Sequence, residues 1–568
     1  VRRHLAPILL TAAVLLAGCS SDGSEGAADP DPTDAAEATT TTAPGEAGNP
    51  CDQGASIDEL EVEPVDGIES DRTLTSFDGT ELRLHWFPVE GATADEPAPT
   101  ILMGPGWSLP GDTDTEGGGL FGALSIDSMW DAGYHVLTWD PRGFGQSEGV
   151  ASVNDPELEG RDVQAMLDFV AAQPEVQLDD EGDPRVGMVG FSYGGGIQLT
   201  VAAIDCRVDA IVPGIAWHSL ETSLYKAETV KTGWSEILTT TVPKDRLDPH
   251  VVSASESGLR DGSLSDEDRE WFIDRGPGDE LVGAIDVPTL LIGGTVDTLF
   301  TLDEVLTNVD ILRSNGVPTA MVWFCGGHGT CLTEPGDQTR IAQSSFAWLD
   351  RYVKGDLDAE ELPFLDIVDQ DGDRWTGDEP FTAYESGEGI EWRFGPATGA
   401  ATSDGSGMLE LTDESRSGGG PLETDPDDLL AGLVSSITPT EAEVAIELNV
   451  ASEMDVLVIG TPTIEMTYSG TLPEGETDGR VFAQLVDDEA SLVIGNQITP
   501  IALVLDGEEH TITVPLEVIA HDLGSSGTVT LQLVATSTAY ATPPLGGQLE
   551  VSSLAVSLPF AGDAVTPR

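Results

Sequence analysis

The hydrophobic and polar positions of this chain keep one rhythm from about residue 71 to 350 and another from about 360 onward. In the first part, short apolar runs alternate with longer stretches of helical period. The runs at 82–89, 100–103, 135–139, 185–189, 210–215, 289–292 and 320–324 read as strands. Several are continuously apolar rather than alternating, as expected of strands covered on both faces. Between them, Val163, Met166, Leu167 and Val170 fall at i, i+3, i+4 and i+7, one face of a helix. A second helix is predicted from about Gln338 to Lys354, with Gly355 as its stop signal. This alternation predicts an α/β layer fold.

The stretch 219–284 interrupts the alternation. It is polar and helix-prone in pieces (SDEDREWFIDR), and it lies between two core strands, so it is predicted to be a helical cap inserted above the sheet. Beyond about 360 the helical period gives way to period-two alternation between Gly- and Pro-rich turns. In TVTLQLVATS, Val529, Leu531 and Leu533 should face one way and Thr530 and Gln532 the other. The resulting plan is an α/β body over 50–218 and 285–356, a cap over 219–284, and an antiparallel jelly-roll β-sandwich over 357–568.

The amino-terminal residues fall outside this plan. Arg2, Arg3 and His4 precede an apolar run from Leu5 to Leu16, too short to span a bilayer and laid out like a secretory signal over 1–18. Leu16-Ala17-Gly18-Cys19 resembles the lipobox of bacterial lipoproteins, which implies lipidation of Cys19; an ordinary signal with a chance cysteine is the alternative. Residues 19–49 have almost no large apolar side chains and are expected to be a disordered tether. The expected location is therefore extracytoplasmic, with the membrane engaged only through the lipid anchor.

The charge balance narrows the possible partners. At a net −77, with only four lysines (Lys226, Lys231, Lys244 and Lys354), the chain repels nucleic acid and has no basic patch for phosphates. Such acidity is also expected of life in high salt, or of a proteome that is simply acidic.

The chemistry enters at GFSYG, residues 190–194, which fits the nucleophile-elbow pattern G-x-S-x-G. GQSEG at 145–149 fits as well. Ser192 follows an apolar strand and opens a helix-like segment, whereas Ser147 lies in a polar loop, so Ser192 is the expected nucleophile. A serine hydroxyl needs a base at neutral pH, and the base needs a carboxylate to fix its tautomer. In such folds the chain order is serine, acid, histidine. Asp297 in LLIGGTVDTLF and His328 in AMVWFCGGHG each follow a strand and supply that order, with Asp303 as the alternative acid. His218 and His250 precede Asp297, and His510 and His521 sit in the β part. The tetrahedral oxyanion is expected to be held by the N–H of Tyr193 and by that of Trp107 in the loop after the 100–103 strand; the alternative for Trp107 is packing beside the pocket.

His328 is also flanked by Cys325 and Cys331. Cys-x-x-His-x-x-Cys can bind zinc, but zinc would occupy the nitrogen the base needs, and exported thiols oxidise. Disulfides Cys325–Cys331 and Cys51–Cys206 are expected instead, with no metal and no cofactor.

From about 70 to 560 the chain resembles the Xaa-Pro dipeptidyl-peptidase/cocaine-esterase-like (CocE/NonD) family of α/β-hydrolases. The resemblance rests on GFSYGG, GTVDTLF, GGHG and RVFAQLVDDEASLVIGN at 480–496. It implies a catalytic α/β-hydrolase domain, a helical cap and a terminal jelly roll acting on a small ester or peptide. One departure is Gly106-Trp107, where relatives often carry a Pro-Tyr motif. The expected function is a serine hydrolase cleaving an ester or amide through an acyl-enzyme. The alternatives are a dipeptidyl-peptidase in the narrow sense, or a binding lipoprotein that uses its β domain.

Overall fold

The structure, a computed structural model, describes residues 60–117, 124–387, 389–395, 400–417, 437–451, 457–524 and 527–568. All seven apolar runs form strands, and their ends differ from the expected ones by no more than two residues. Thr100–Gly104, Val186–Phe191 and Thr289–Gly294 are buried along their whole length. That explains their continuous apolar pattern: with both faces covered, no position is left for an outward polar side chain.

These strands lie in one large sheet. Its core is parallel, in the order His135–Trp139, Thr100–Gly104, Val186–Phe191, Val208–Gly214, Thr289–Gly294 and Thr319–Phe324, with Glu81–Phe87 antiparallel at one side. The predicted helices are Glu159–Ala171 and Thr339–Tyr352, and Tyr193–Ile204 packs beside the first. Val163, Met166, Leu167 and Val170 are fully buried, so the periodic stripe is the core face of its helix.

The sheet continues past residue 356, where the body was expected to end. Leu365–Val368 adds in parallel to Thr319–Phe324, and Arg374–Gly377 adds antiparallel to that. Thr566–Pro567, at the other end of the β part, returns to pair with Arg374–Gly377. The run LDIV is too short to signal on its own. Its burial of Leu365 and Ile367, and the double ion pair of Asp366 with Arg340 and Arg374, place it in the body.

The cap forms as helices, among them Leu220–Leu224, Thr232–Thr240, Pro249–Asp261 and Asp266–Ile273. Its apolar faces share a core with Trp107, Tyr193, Leu299 and Phe300, all just beyond the carboxyl ends of sheet strands. Glu304 accepts from the N–H groups of His218 and Ser219, which fixes the point where the cap leaves the sheet.

The carboxyl-terminal part is built of antiparallel sheets, with one short parallel pair, Arg416–Ser417 beside Thr536–Ser537, around its own core, with Ile464, Met466, Val481, Leu531 and Leu554 at its centre. In Thr528–Val534, Val529, Leu531 and Leu533 point into that core as expected. Thr530 and Gln532, expected to face outward, are buried too. The segment at 437–440 lies over this face. The Gln532 side chain donates to Thr440 O and accepts from Thr440 N at 2.8 and 3.0 Å. A covering strap of chain leaves no alternation signal in the strand that it covers.

Candidate active site

Ser192 stands at the turn between the strand Val186–Phe191 and the helix Tyr193–Ile204. Its backbone has φ 59° and ψ −117°, a strained conformation for a residue with a side chain. The turn closes only because its neighbours are small. A Cβ on Gly194 would lie 2.1 Å from Gly104 O on the adjacent strand. The strained turn holds the Ser192 hydroxyl above the carboxyl edge of the sheet.

Three side chains far apart in sequence are hydrogen-bonded in series there. The Ser192 hydroxyl donates to His328 Nε2 at 2.7 Å, and His328 Nδ1 donates to Asp297 Oδ2 at 2.7 Å. The carboxylate on Nδ1 fixes the tautomer, leaving Nε2 as the acceptor. Asp297 is fully buried and its charge is met by backbone: Oδ1 accepts from Leu299 N and Phe300 N at 2.9 Å each, and Oδ2 also accepts from His328 N at 3.0 Å. The rings of Phe300 and Trp234 meet the imidazole edge-on at 5.0 and 5.8 Å. Gly327 lies so close to Asp297 that a Cβ on it would be 2.5 Å from the aspartate Cβ.

Cys325 and Cys331 form a disulfide that closes a loop around His328. Cys206 is also disulfide-bonded, while Cys51, its expected partner, and Cys19 lie outside the described residues. Among the described residues no cluster of three or more His, Cys, Asp or Glu side chains has a metal-holding arrangement.

The remaining candidates lie elsewhere. Ser147 donates to Asp140 O at 2.6 Å and accepts from Arg83 N, so its hydroxyl is part of a loop's backbone network. His218 bonds Asn308, His250 bonds Asp268, His510 bonds Asp506 and His521 bonds Asp487. Asp303 points away from His328 and accepts from Val518 N in the β domain. Tyr193 is the first residue of its helix, so its N–H is one of those without an intrahelical acceptor. The Trp107 ring packs against Tyr193 and Phe144, and its indole N–H donates to Leu238 O in the cap. An apolar pocket beside Ser192 is walled by Trp107, Val153, Trp217, Leu220, Leu224 and Phe300.

The residues that the sequence reading missed lie around the loop carrying Asp297. Lys231 from the cap and Gln497 and Glu517 from the β domain all reach it. Burial pulls the Lys231 ammonium down to about 8. Burial alone would raise Glu517, but the charges of Lys226 and Lys231 outweigh it and lower its pKa. Burial pushes Asp303 up to about 7, against the pull of Lys226. The available signal was scarcity: two of the chain's four lysines sit here.

A doubly covered parallel sheet with a strained serine elbow and a Ser–His–Asp hydrogen-bond series defines the α/β-hydrolase class. Residues 78–330 match the family profile of the X-Pro dipeptidyl-peptidase (S15) family. An aminopeptidase from a marine-sediment Thaumarchaeota archaeon superposes with TM-score 0.61 at 13% identity, covering 88% of this chain and 98% of its own. A CocE/NonD family hydrolase from Staphylococcus aureus superposes with TM-score 0.57 at 12% identity, covering 88% and 96%. These likenesses are of fold, and they extend over cap and β domain as well as the body. A polyketide transferase from a Penicillium species is 30% identical over 145 residues, 25% of this chain. The chain spans less than half the length of several curated relatives that it matches, 43% in that case.

Proposed function

We propose that this protein is a serine hydrolase that cleaves an ester or amide through an acyl-enzyme, with Ser192 as nucleophile, His328 as base and Asp297 as the carboxylate that orients it. The carrying observation is the unbroken pair of 2.7 Å hydrogen bonds from a strained serine through the imidazole to a buried carboxylate. His328 Nε2 takes the serine proton as Oγ attacks the carbonyl carbon. The oxyanion of the tetrahedral intermediate is held by the N–H of Tyr193, at a helix amino end, and by that of Trp107. As the intermediate collapses, His328 returns the proton to the leaving alcohol or amine. A water then attacks the acyl carbon while His328 again takes its proton, and the same steps release the acid.

The wall of the pocket favours an ester with an uncharged, apolar acyl group over an amino-terminal peptide. Its residues bury hydrocarbon and offer no carboxylate to pair with a free ammonium group. We place the enzyme outside the cytoplasm, tethered by a lipid on Cys19. The signal-like run ahead of Cys19 and the oxidised pair Cys325–Cys331 support that location.

Labelling with a fluorophosphonate tests the chemistry. The protein should label, Ser147→Ala should label equally, and Ser192→Ala should not; label that persists without Ser192 refutes the assignment. Metabolic labelling with a fatty acid, lost in Cys19→Ala, tests the tether.

A further inference from the structure

The loop from Thr295 to Thr301 carries the acid of the hydrogen-bond series, yet its own domain does not hold its outer side. Three successive carbonyls of this loop accept from side chains that belong to the other two parts of the molecule. Asp297 O accepts from Gln497 Nε2 of the β domain at 2.6 Å. Thr298 O and Leu299 O accept from the Lys231 ammonium of the cap at 2.9 and 3.2 Å. The cap adds a fourth contact, from the Trp234 indole N–H to Thr298 Oγ1 at 3.0 Å. Two residues beyond Leu299, the Thr301 hydroxyl donates to Glu517 of the β domain at 3.1 Å, and Lys226 of the cap pairs with the same carboxylate at 2.8 Å. Gln497, Lys231 and Glu517 are buried, each 9% exposed or less, so water does not compete for these bonds. The backbone approach is also close: a Cβ on Gly495 would lie 2.9 Å from Thr295 O.

These contacts act on the part of the loop that sets the carboxylate. Leu299 N and Phe300 N grip Asp297 Oδ1, and the peptide groups to which those N–H groups belong carry the carbonyls of Thr298 and Leu299. A peptide plane held by its oxygen cannot rotate its N–H away. The hold of Lys231 on those two carbonyls therefore aims the inner N–H groups at Asp297, while Gln497 fixes the carbonyl of Asp297 itself and so the backbone from which the carboxylate projects; through Asp297 both aim His328.

We infer that Gln497 and Lys231 are positioning residues for the reaction, and that the β domain and cap are parts of the active-site scaffold rather than appendages. The β domain thus has a role that requires no ligand of its own. This inference rests on the serine-hydrolase reading and deepens it. Loss of either donor leaves Ser192 and the substrate pocket in place but lets the acid loop sample other peptide orientations. The cost should fall on the chemical step and not on substrate binding.

Gln497→Met, which keeps the length of the side chain and removes its donor, is the decisive variant. Rates on a short-chain p-nitrophenyl ester are measured per active site, with sites counted by fluorophosphonate labelling taken to completion. We expect kcat per labelled site to fall about tenfold or more while KM changes less than twofold. An unchanged kcat per labelled site, or an effect confined to KM, overturns the inference. Should Gln497→Met give no labelled protein, Lys231→Met reads the same loop from the cap side and is judged by the same two numbers. Failure of the unaltered protein to label would instead sink the serine-hydrolase reading itself, so the two failures are distinguishable.

Discussion

Replacing Asp297 by asparagine removes one charge and almost no volume, and the hydrogen bonds around it set the consequence. In the native site all four contacts to the carboxylate come from donors: Leu299 N, Phe300 N, His328 N and His328 Nδ1. An asparagine has one accepting oxygen and one donating NH2 group. If its oxygen faces Leu299 and Phe300, the NH2 meets the backbone N–H of His328 and forces the imidazole to carry its proton on Nε2. That tautomer points a hydrogen at Ser192 and leaves no base. If the amide flips, two backbone N–H groups are left facing NH2. Either way at least one buried donor loses its acceptor, at a cost of about 1–3 kcal/mol in stability. The catalytic loss is larger, because the productive tautomer is disfavoured in the preferred orientation. A fall of about 10³–10⁴ in kcat is expected, which is roughly 4–5.5 kcal/mol in the barrier. The assay is ester hydrolysis per folded molecule, with folding followed by circular dichroism and melting. Asp303→Asn is the companion variant, since Asp303 makes a domain contact instead; it should keep most of its kcat. Asp297→Asn within tenfold of the unaltered rate, or Asp303→Asn carrying the larger loss of kcat, would refute the assignment of the acid.

Other expectations follow from single contacts. Replacing Cys325 and Cys331 together by serine frees the short loop around His328 and should cost about 2 kcal/mol by loop entropy, read as a lower melting temperature; reducing the native protein should depress ester turnover at temperatures where circular dichroism is unchanged. Burial, with Asp179 and Asp183 nearby, pushes Asp209 up to about 7, so the native state favours its protonated form. Its contribution to stability is complete below the ordinary value near 3.8 and is lost as pH rises through 7. Asp209→Asn, which retains an acceptor for Val186 N, should therefore melt higher than the unaltered protein at pH 8 by about 1–2 kcal/mol and match it near pH 4, in thermal scans at the two pH values. Leu224→Trp should fill the pocket beside Ser192 and shift preference across a series of p-nitrophenyl esters toward acetate, with little change in fluorophosphonate labelling; unchanged chain-length preference would mean the acyl group lies elsewhere.

The sequence by itself determined what depends on local pattern. Strands buried on both faces must be continuously apolar, so Val186–Phe191 and Thr289–Gly294 were legible as runs, and the helix Glu159–Ala171 by its stripe. Ser192, Asp297 and His328 were legible because each follows such a strand in a fixed order, and the bridge across His328 because its cysteines flank it. What only the tertiary structure decided involves partners distant in the chain. The strand Leu365–Val368 is four residues long and gains its place from Arg340 and Arg374. Gln532 is buried by a strap whose residues its own strand does not predict. Asp303 and Asp297 sit on the same short stretch, and which of them meets His328 depends on where the peptide planes between them point. Gln497 reaches Asp297 across 200 residues, and no periodicity or spacing encodes a bond between a side chain and the carbonyl of a loop in another domain. Such bonds exist only once the body, cap and β domain have packed and excluded water from the groups between them.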